Sequence, residues 1–240
     1  MDQFSEKAAI LGRYGISTTE PLHSGMEAEV YALDDTTVLK LYPQTTTTAN
    51  LETLQRFYAS LVDATLSYAL PEIHKVEEYG SYTVVLEKRL HGRPLSALVA
   101  ERPPDQLGDL PARYIAAVAE LSQLTMPPHA ARYKLFDPDG ISARLAGDWH
   151  TFLRRYLDQK LTQTAPYFAR DVADYAAKVQ QMQRTLAASY LGPHALIHGD
   201  FFPGNLLVDE QGCPTALLDF GLFTMYGDPL FDLATAWVLF

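Results

Sequence analysis

The chain has 240 residues, 48% of them apolar and 20% charged, with a formal charge of −10, a globular composition large enough for one big domain or two packed lobes. The acidic balance contains no basic block, which excludes a nucleic-acid binder and an anionic membrane surface as partners. Cys213 is the only cysteine, so an intrachain disulfide and a thiolate zinc site are excluded as well.

No apolar run reaches the length of a membrane span. The N-terminal Met1-Asp2-Gln3-Phe4-Ser5-Glu6 lacks the basic and apolar regions of a signal peptide, and a reducing cytoplasm is the expected compartment.

In chain order, residues 23–33 alternate loosely and end in Val30-Tyr31-Ala32-Leu33; Asp34-Asp35 is a turn signal, and residues 36–42 return as a second β-rich run. The pattern predicts a hairpin. Pro43 closes it, and Thr45 to Thr48 offer candidate N-caps for the helix that follows. In that segment Leu51, Leu54, Tyr58 and Leu61 fall at helical spacing, with Phe57 and Val62 widening the stripe, over about four turns. Two more strands are expected at residues 73–78 and 82–86, around the Tyr79-Gly80-Ser81 turn.

After His91-Gly92-Arg93-Pro94 the texture changes. Residues 110–124 and 141–190 carry apolar positions at helical spacing, and Pro127-Pro128 and Asp137-Pro138-Asp139-Gly140 separate the helices. From Ala195 the chain returns to short apolar strands and turns. The expected fold class is α+β and bilobal. A small β-rich lobe spans residues 1–90, with a hinge near 87–94, and a larger, mainly helical lobe spans 95–240.

The chemistry concentrates late in the chain. Residues 196–209 read as apolar strand, polar loop and apolar strand, and they place Asp200 and Asn205 on one tight loop. A second acid, Asp219, arrives in segment 217–221 at the end of another apolar run. Carboxylates and a carboxamide at strand ends form an oxygen-donor set suited to Mg2+, which keeps several waters and is shared with substrate phosphates. In such a set Asp200 serves as the base for an attacking hydroxyl.

Asp200, then Asn205, then Asp219-Phe220-Gly221 resembles the kinase catalytic apparatus of catalytic Asp, metal-binding Asn and Asp-Phe-Gly, with Gly199 where protein kinases carry Arg. Together with His198-Gly199-Asp200 and Gly227-Asp228-Pro229-Leu230-Phe231-Asp232, it resembles the aminoglycoside phosphotransferase and choline kinase-like family, which has a protein-kinase-like fold. The resemblance implies ATP or GTP as donor, Mg2+ on Asn205 and Asp219, and Asp200 as catalytic base. By the same resemblance His198 orients the loop rather than reacting, and Asp232 ties a helix start to the catalytic loop. Asp228 is an acceptor-site or metal-neighbouring group, or simply a turn residue before Pro229.

For the nucleotide, the resemblance assigns Lys40, in Val38-Leu39-Lys40-Leu41-Tyr42, to the α- and β-phosphates, and Glu52 to holding that lysine. A solvated helix-surface acid is the alternative for Glu52. Ser24-Gly25-Met26-Glu27-Ala28 occupies the turn that should cover the phosphates, where Ser24 and the Gly25 backbone would donate to phosphate oxygens. Glu87-Lys88-Arg89-Leu90 resembles the interlobe hinge, and the backbone of Glu87 and Arg89 is expected to read the adenine edge.

The implied acceptor is a small hydroxylated molecule: an aminoglycoside, another antibiotic such as a macrolide, a choline-type amino alcohol, a sugar or a glycated amine. Its wall would lie near residues 148–156, where the (i, i+3) neighbours Trp149 and Phe152 read more often as core. Thr125 stands where many relatives have His. The chain stops in the apolar Trp237-Val238-Leu239-Phe240, from which a compact or truncated form is expected, or a homo-oligomer through that end. Residues 200–240 hold six acids and no base. A nucleotide-binding regulatory module without turnover is the alternative of another class.

Overall fold

The computed structural model describes residues 3–18, 20–25, 27–43, 46–125, 136–137, 140–141, 149–221 and 223–240. The first part of the chain forms α1 (Gln3–Arg13), β1 (His23–Ser24), β2 (Glu29–Ala32), β3 (Thr37–Pro43), α2 (Thr48–Ala59), β4 (Ile73–Tyr79) and β5 (Tyr82–Lys88). The strands make one antiparallel sheet in the order β1-β2-β3-β5-β4.

Strand side chains alternate between faces, and β3 shows what each face is for. Leu39 and Leu41 join Tyr31, Val84 and the α1 residues Ile10 and Leu11 in one apolar cluster. Tyr42 faces the other way, into the main core with Val85 and with Leu51, Phe57 and Tyr58 of α2. Thus α1 covers one face and α2 the other. Helix α1 is absent from the sequence expectation; among its residues whose burial is described, Ile10 and Leu11 are the large buried anchors. Helix α2 is shorter than expected, and Thr47 occupies its N-cap without a side-chain capping bond; Thr45 lies outside the described residues.

The second part begins with β6 (Arg93–Pro94), α3 (Leu95–Ala100), a 3-10 turn at Pro104–Gln106, and α4 (Leu110–Leu121). It continues with β7 (Phe136–Asp137), β8 (Gly140–Ile141), α5 (Trp149–Asp171) and α6 (Tyr175–Thr185). Then come β9 (Ala195–Ile197), β10 (Leu206–Val208), β11 (Pro214–Leu217), β12 (Met225–Gly227) and α7 (Leu230–Leu239). Pro127-Pro128 and residues 142–148, which the sequence reading assigned to a loop and a helix, lie outside the described residues.

Helix α4 buries Leu110, Tyr114, Ala117, Val118 and Leu121, a stripe at helical spacing. This stripe and the α2 residues belong to one continuous core with Leu206, Leu217 and Phe220. Burying each such Leu or Phe contributes about 2 kcal/mol, so this core fixes the loops that leave it. On α7, by contrast, Trp237 and Val238 are 75% and 80% exposed. No described helix is both long and apolar enough to cross a membrane.

Candidate active site

Two short antiparallel pairings place the late polar residues together. Strand β10 pairs with β11, Leu206 opposite Leu217, and the Leu218 N–H extends the ladder by donating to the Asn205 carbonyl at 2.8 Å. Asn205 and Asp219 therefore stand at the same end of one hairpin. Strand β9 pairs with β12, Ile197 opposite Met225, which brings His198 alongside Thr224. The loop from His198 to Asn205 is strung between these pairings.

Buried groups hold the loop from several directions. Asp232, 2% exposed at the start of α7, accepts the N–H groups of His198 at 2.6 Å and Gly199 at 2.9 Å. Burial pushes the Asp232 carboxyl up to about 6, although the two N–H groups pull the other way. Thr224 Oγ1 donates to the His198 carbonyl at 3.1 Å and accepts from the Gly221 N–H at 2.9 Å. Tyr114 of α4 donates to the Phe201 carbonyl at 2.5 Å. Gly199 has φ +80°, and a Cβ there would run into the carbonyl of Phe223; the position demands glycine.

Asn205 is 5% exposed; its Nδ2 donates to the Asp200 carbonyl at 3.0 Å and reaches Oδ2 of Asp200 at 3.5 Å. The carboxylates of Asp200 and Asp219 are exposed while the residues that hold them are buried. Asp219 adopts a left-handed φ of 58°. The next residue, Phe220, packs against Phe57 and Tyr58 of α2, with ring centroids 5.6 and 5.9 Å away.

Lys40 lies on the core-facing side of the sheet. Its Nζ is 2.9 Å from Oε1 of Glu87, which is 4% exposed. Burial alone would lower the Lys40 ammonium, but the Glu87 carboxylate beside it holds it above the ordinary lysine range, with a smaller contribution from Asp219.

Several expectations are corrected here. Glu52 is exposed on α2, and the recorded partner of Lys40 is Glu87; cross-strand register, invisible in local spacing, decides this. Ser24 and Gly25 are exposed in the turn between β1 and β2, but the Gly25 N–H is spent on the Ala28 carbonyl at 3.0 Å rather than offered to phosphate. Met26 lies outside the described residues. The Arg89 N–H donates to the Thr36 carbonyl at 2.7 Å and its guanidinium to the Asp34 carbonyl at 2.9 Å. Arg89 therefore pins the turn between β2 and β3, and its N–H is not offered to an adenine edge. Trp149, by contrast, is core as its spacing favoured, 2% exposed against Ile197 and Met225. Asp228 accepts the Leu230 N–H at 3.0 Å, as a turn residue does.

Sequence reasoning missed Thr224 and Tyr114. Neither carries a local signal; each matters because a strand pairing or a helix packing brings its hydroxyl to the loop.

A family model described as the phosphotransferase enzyme family matches residues 18–240. The fold is similar to that of ADP-bound aminoglycoside phosphotransferase APH(2'')-Ib: 18% identity, TM-score 0.59, 96% of this chain and 74% of that one. The streptomycin and ATP ternary complex of APH(2'')-IIa gives 16%, 0.60, 97% and 75%. The GDP complex of aminoglycoside 2'-phosphotransferase-IIIa gives 14%, 0.59, 97% and 76%. The chain has a bilobal, protein-kinase-like α+β fold, with a β-rich first lobe and a larger, mainly helical second one, and it belongs to the phosphotransferase enzyme family, the small-molecule kinases of the aminoglycoside phosphotransferase type.

Proposed function

We propose that this chain transfers the terminal phosphate of ATP or GTP, with Mg2+, to a hydroxyl of a small molecule such as an aminoglycoside or another antibiotic. The observation that carries the reading is the pair of exposed residues, Asp200 and Asp219, on a loop and hairpin end anchored by the buried, hydrogen-bonded His198, Asn205 and Asp232. Phosphoryl transfer asks for positioned charge more than for covalent chemistry, and rigidly held, solvent-facing carboxylates supply it.

The donor set fits Mg2+. Asn205 commits its Nδ2 to Asp200, which leaves its carboxamide oxygen to face a cation, and Asp219 presents an exposed carboxylate; both are hard oxygen donors. When bound there, the cation supplies charge neutralisation for the terminal phosphates. Lys40 neutralises the inner phosphates as a permanent ammonium. Asp200 orients the acceptor hydroxyl and accepts its proton as the hydroxyl oxygen bonds to the terminal phosphorus. The bond from that phosphorus to the bridging oxygen breaks in the same step, releasing ADP or GDP. His198 holds the backbone of both acidic segments and exchanges no proton. The N-terminal sheet to residue 90 forms the nucleotide lobe, and the cytoplasm is the compartment where ATP and Mg2+ are at hand.

A second acceptor class, an uncharged hydroxylated compound with an apolar body, is favoured by one observation. Helices α5 and α6 border an open groove of about 660 Å³ lined by Leu153, Tyr156, Leu157, Met182, Leu186 and the two lysines Lys160 and Lys178. Such a wall suits a macrolide-like body better than a polycation, which wants acidic neighbours. A coupled ADP-release screen over aminoglycosides, macrolides, amino alcohols and sugars tests both. Mg2+-dependent release stimulated by one class is expected. Nucleotide binding with no release for any acceptor would instead favour a regulatory module.

A further inference from the structure

Lys40 is enclosed by groups from several elements. Glu87 reaches it from β5 at 2.9 Å, Tyr42 stands two residues along β3 itself, and Asp219 acts on it from the segment after β11. Glu52, the acid that the helix after β3 offers, is exposed. We propose that Glu87 on β5 is the residue that positions Lys40 for the nucleotide phosphates, in place of an acid on α2.

The pairing follows from register. Lys40 lies opposite Val85 and Val38 opposite Glu87, so Lys40 and Glu87 are diagonal neighbours on one face of the ladder, within reach of long side chains. That ladder runs unbroken from Thr37 opposite Lys88 to Pro43 opposite Tyr82. The lysine and its holder thus belong to one rigid sheet. In protein kinases the corresponding lysine is held by a Glu on the helix that follows its strand, and moving that helix controls the site. Here α2 can shift without releasing Lys40. What α2 holds is Phe220, next to Asp219. The helix therefore acts on the metal-binding side of the site and not on the lysine.

The inference rests on the proposed nucleotide role of Lys40, and the test separates the two. Binding of Mg·ATP to the full chain is measured by calorimetry from pH 7 to about 9.5, for wild type, Glu87→Gln and Glu52→Gln. Removing a charge-assisted partner is expected to weaken binding about tenfold in Glu87→Gln, whereas Glu52→Gln binds as wild type does.

Without the carboxylate, burial dominates at Lys40, so Glu87→Gln also loses affinity progressively as pH rises through this range, while wild type holds. Loss of packing alone would not create that pH dependence. Nζ nitrogen NMR of Lys40 reads the same change without nucleotide: its titration moves down in Glu87→Gln. Wild-type-like binding by Glu87→Gln across the pH range, or a tenfold loss in Glu52→Gln, overturns the proposal. If Glu87→Gln fails to fold, Glu87→Asp takes its place, its shorter arm withdrawing the carboxylate from Lys40. Weakened binding beside a wild-type-like Glu52→Gln then supports the proposal, and wild-type binding overturns it. A wild-type chain that binds no nucleotide sinks the functional reading, and the NMR titration still decides whether Glu87 governs Lys40.

Discussion

The ring of His198 donates from Nε2 to the Leu218 carbonyl at 2.7 Å, while its Nδ1 accepts the Asp200 N–H at 3.2 Å. One imidazole therefore links the loop of the proposed base to the segment that ends in Asp219. The Asp200 N–H pointing at Nδ1 assigns the proton to Nε2. Burial holds the His198 value below the ordinary histidine range, which keeps this neutral tautomer; a second proton would set an N–H against an N–H.

His198→Ala leaves the Leu218 carbonyl and the Asp200 N–H without their partner, at about 1–3 kcal/mol for each group that stays buried. The expected outcome is a lower Tm and at least about tenfold lower kcat from a misplaced Asp200. The sign of the pH dependence follows from the lowered folded value. Below about pH 6.5 the unfolded chain binds the proton more readily, so His198 costs wild-type stability as pH falls through that region. Urea melts at pH 5 and 7 should show a larger acid loss in wild type than in His198→Ala.

Asp200→Ala removes the group assigned to the acceptor's proton. The expected loss in kcat is at least about 10²-fold, with Mg·ATP affinity within a factor of about two of wild type. Steady-state kinetics and calorimetry on the same preparation check this. Wild-type turnover in Asp200→Ala would remove the residue from the mechanism.

Asp219→Ala should separate metal from nucleotide. Its carboxylate is exposed, so no buried partner is lost. The stability cost is about 1–2 kcal/mol, that of placing Ala at the left-handed φ of 58° that Asp tolerates. The part of nucleotide affinity that depends on Mg2+ should vanish. Titrating ATP with and without Mg2+ measures it, and a full Mg2+ effect retained in the variant would assign the cation elsewhere.

The candidate site was legible in the sequence because its signal is local: Asp200, Asn205 and Asp219 fall on turns flanked by apolar triplets, and the structure brings these turns together at one end of the β10–β11 hairpin. The two-lobed α+β plan was legible for a similar reason, since hydrophobic period changes near residue 95. The partner of Lys40 was not, because Glu87 meets it only through the β3–β5 register, 47 positions away in sequence. Arg89 shows the same limit: its guanidinium and N–H turn back to the β2–β3 turn, which hydrophobic pattern does not encode. Helix α1 escaped notice because the adjacent pair Ile10 and Leu11, which seats it on the apolar face formed by Tyr31, Leu39, Leu41 and Val84, makes no helical period of its own.

Asp232→Asn tests the anchor of the loop and has a pH signature of its own. The carboxylate accepts two N–H groups, from His198 and Gly199; an amide keeps one acceptor and turns an NH2 toward the other donor. A lower Tm and reduced kcat are expected. Burial pushes the folded Asp232 value from the ordinary 3.8 up to about 6, so the native chain holds this proton more tightly than the unfolded one. Its contribution is full below about pH 3.8 and lost as pH rises through about 6, on the order of 3 kcal/mol by linkage. Asparagine has no proton to lose. The Tm deficit of Asp232→Asn should therefore be larger at pH 5 than at pH 7.5, a trend that paired thermal melts at the two pH values resolve. A deficit that grows with pH would mean that the two N–H groups outweigh burial and that Asp232 holds the loop as a stabilised carboxylate.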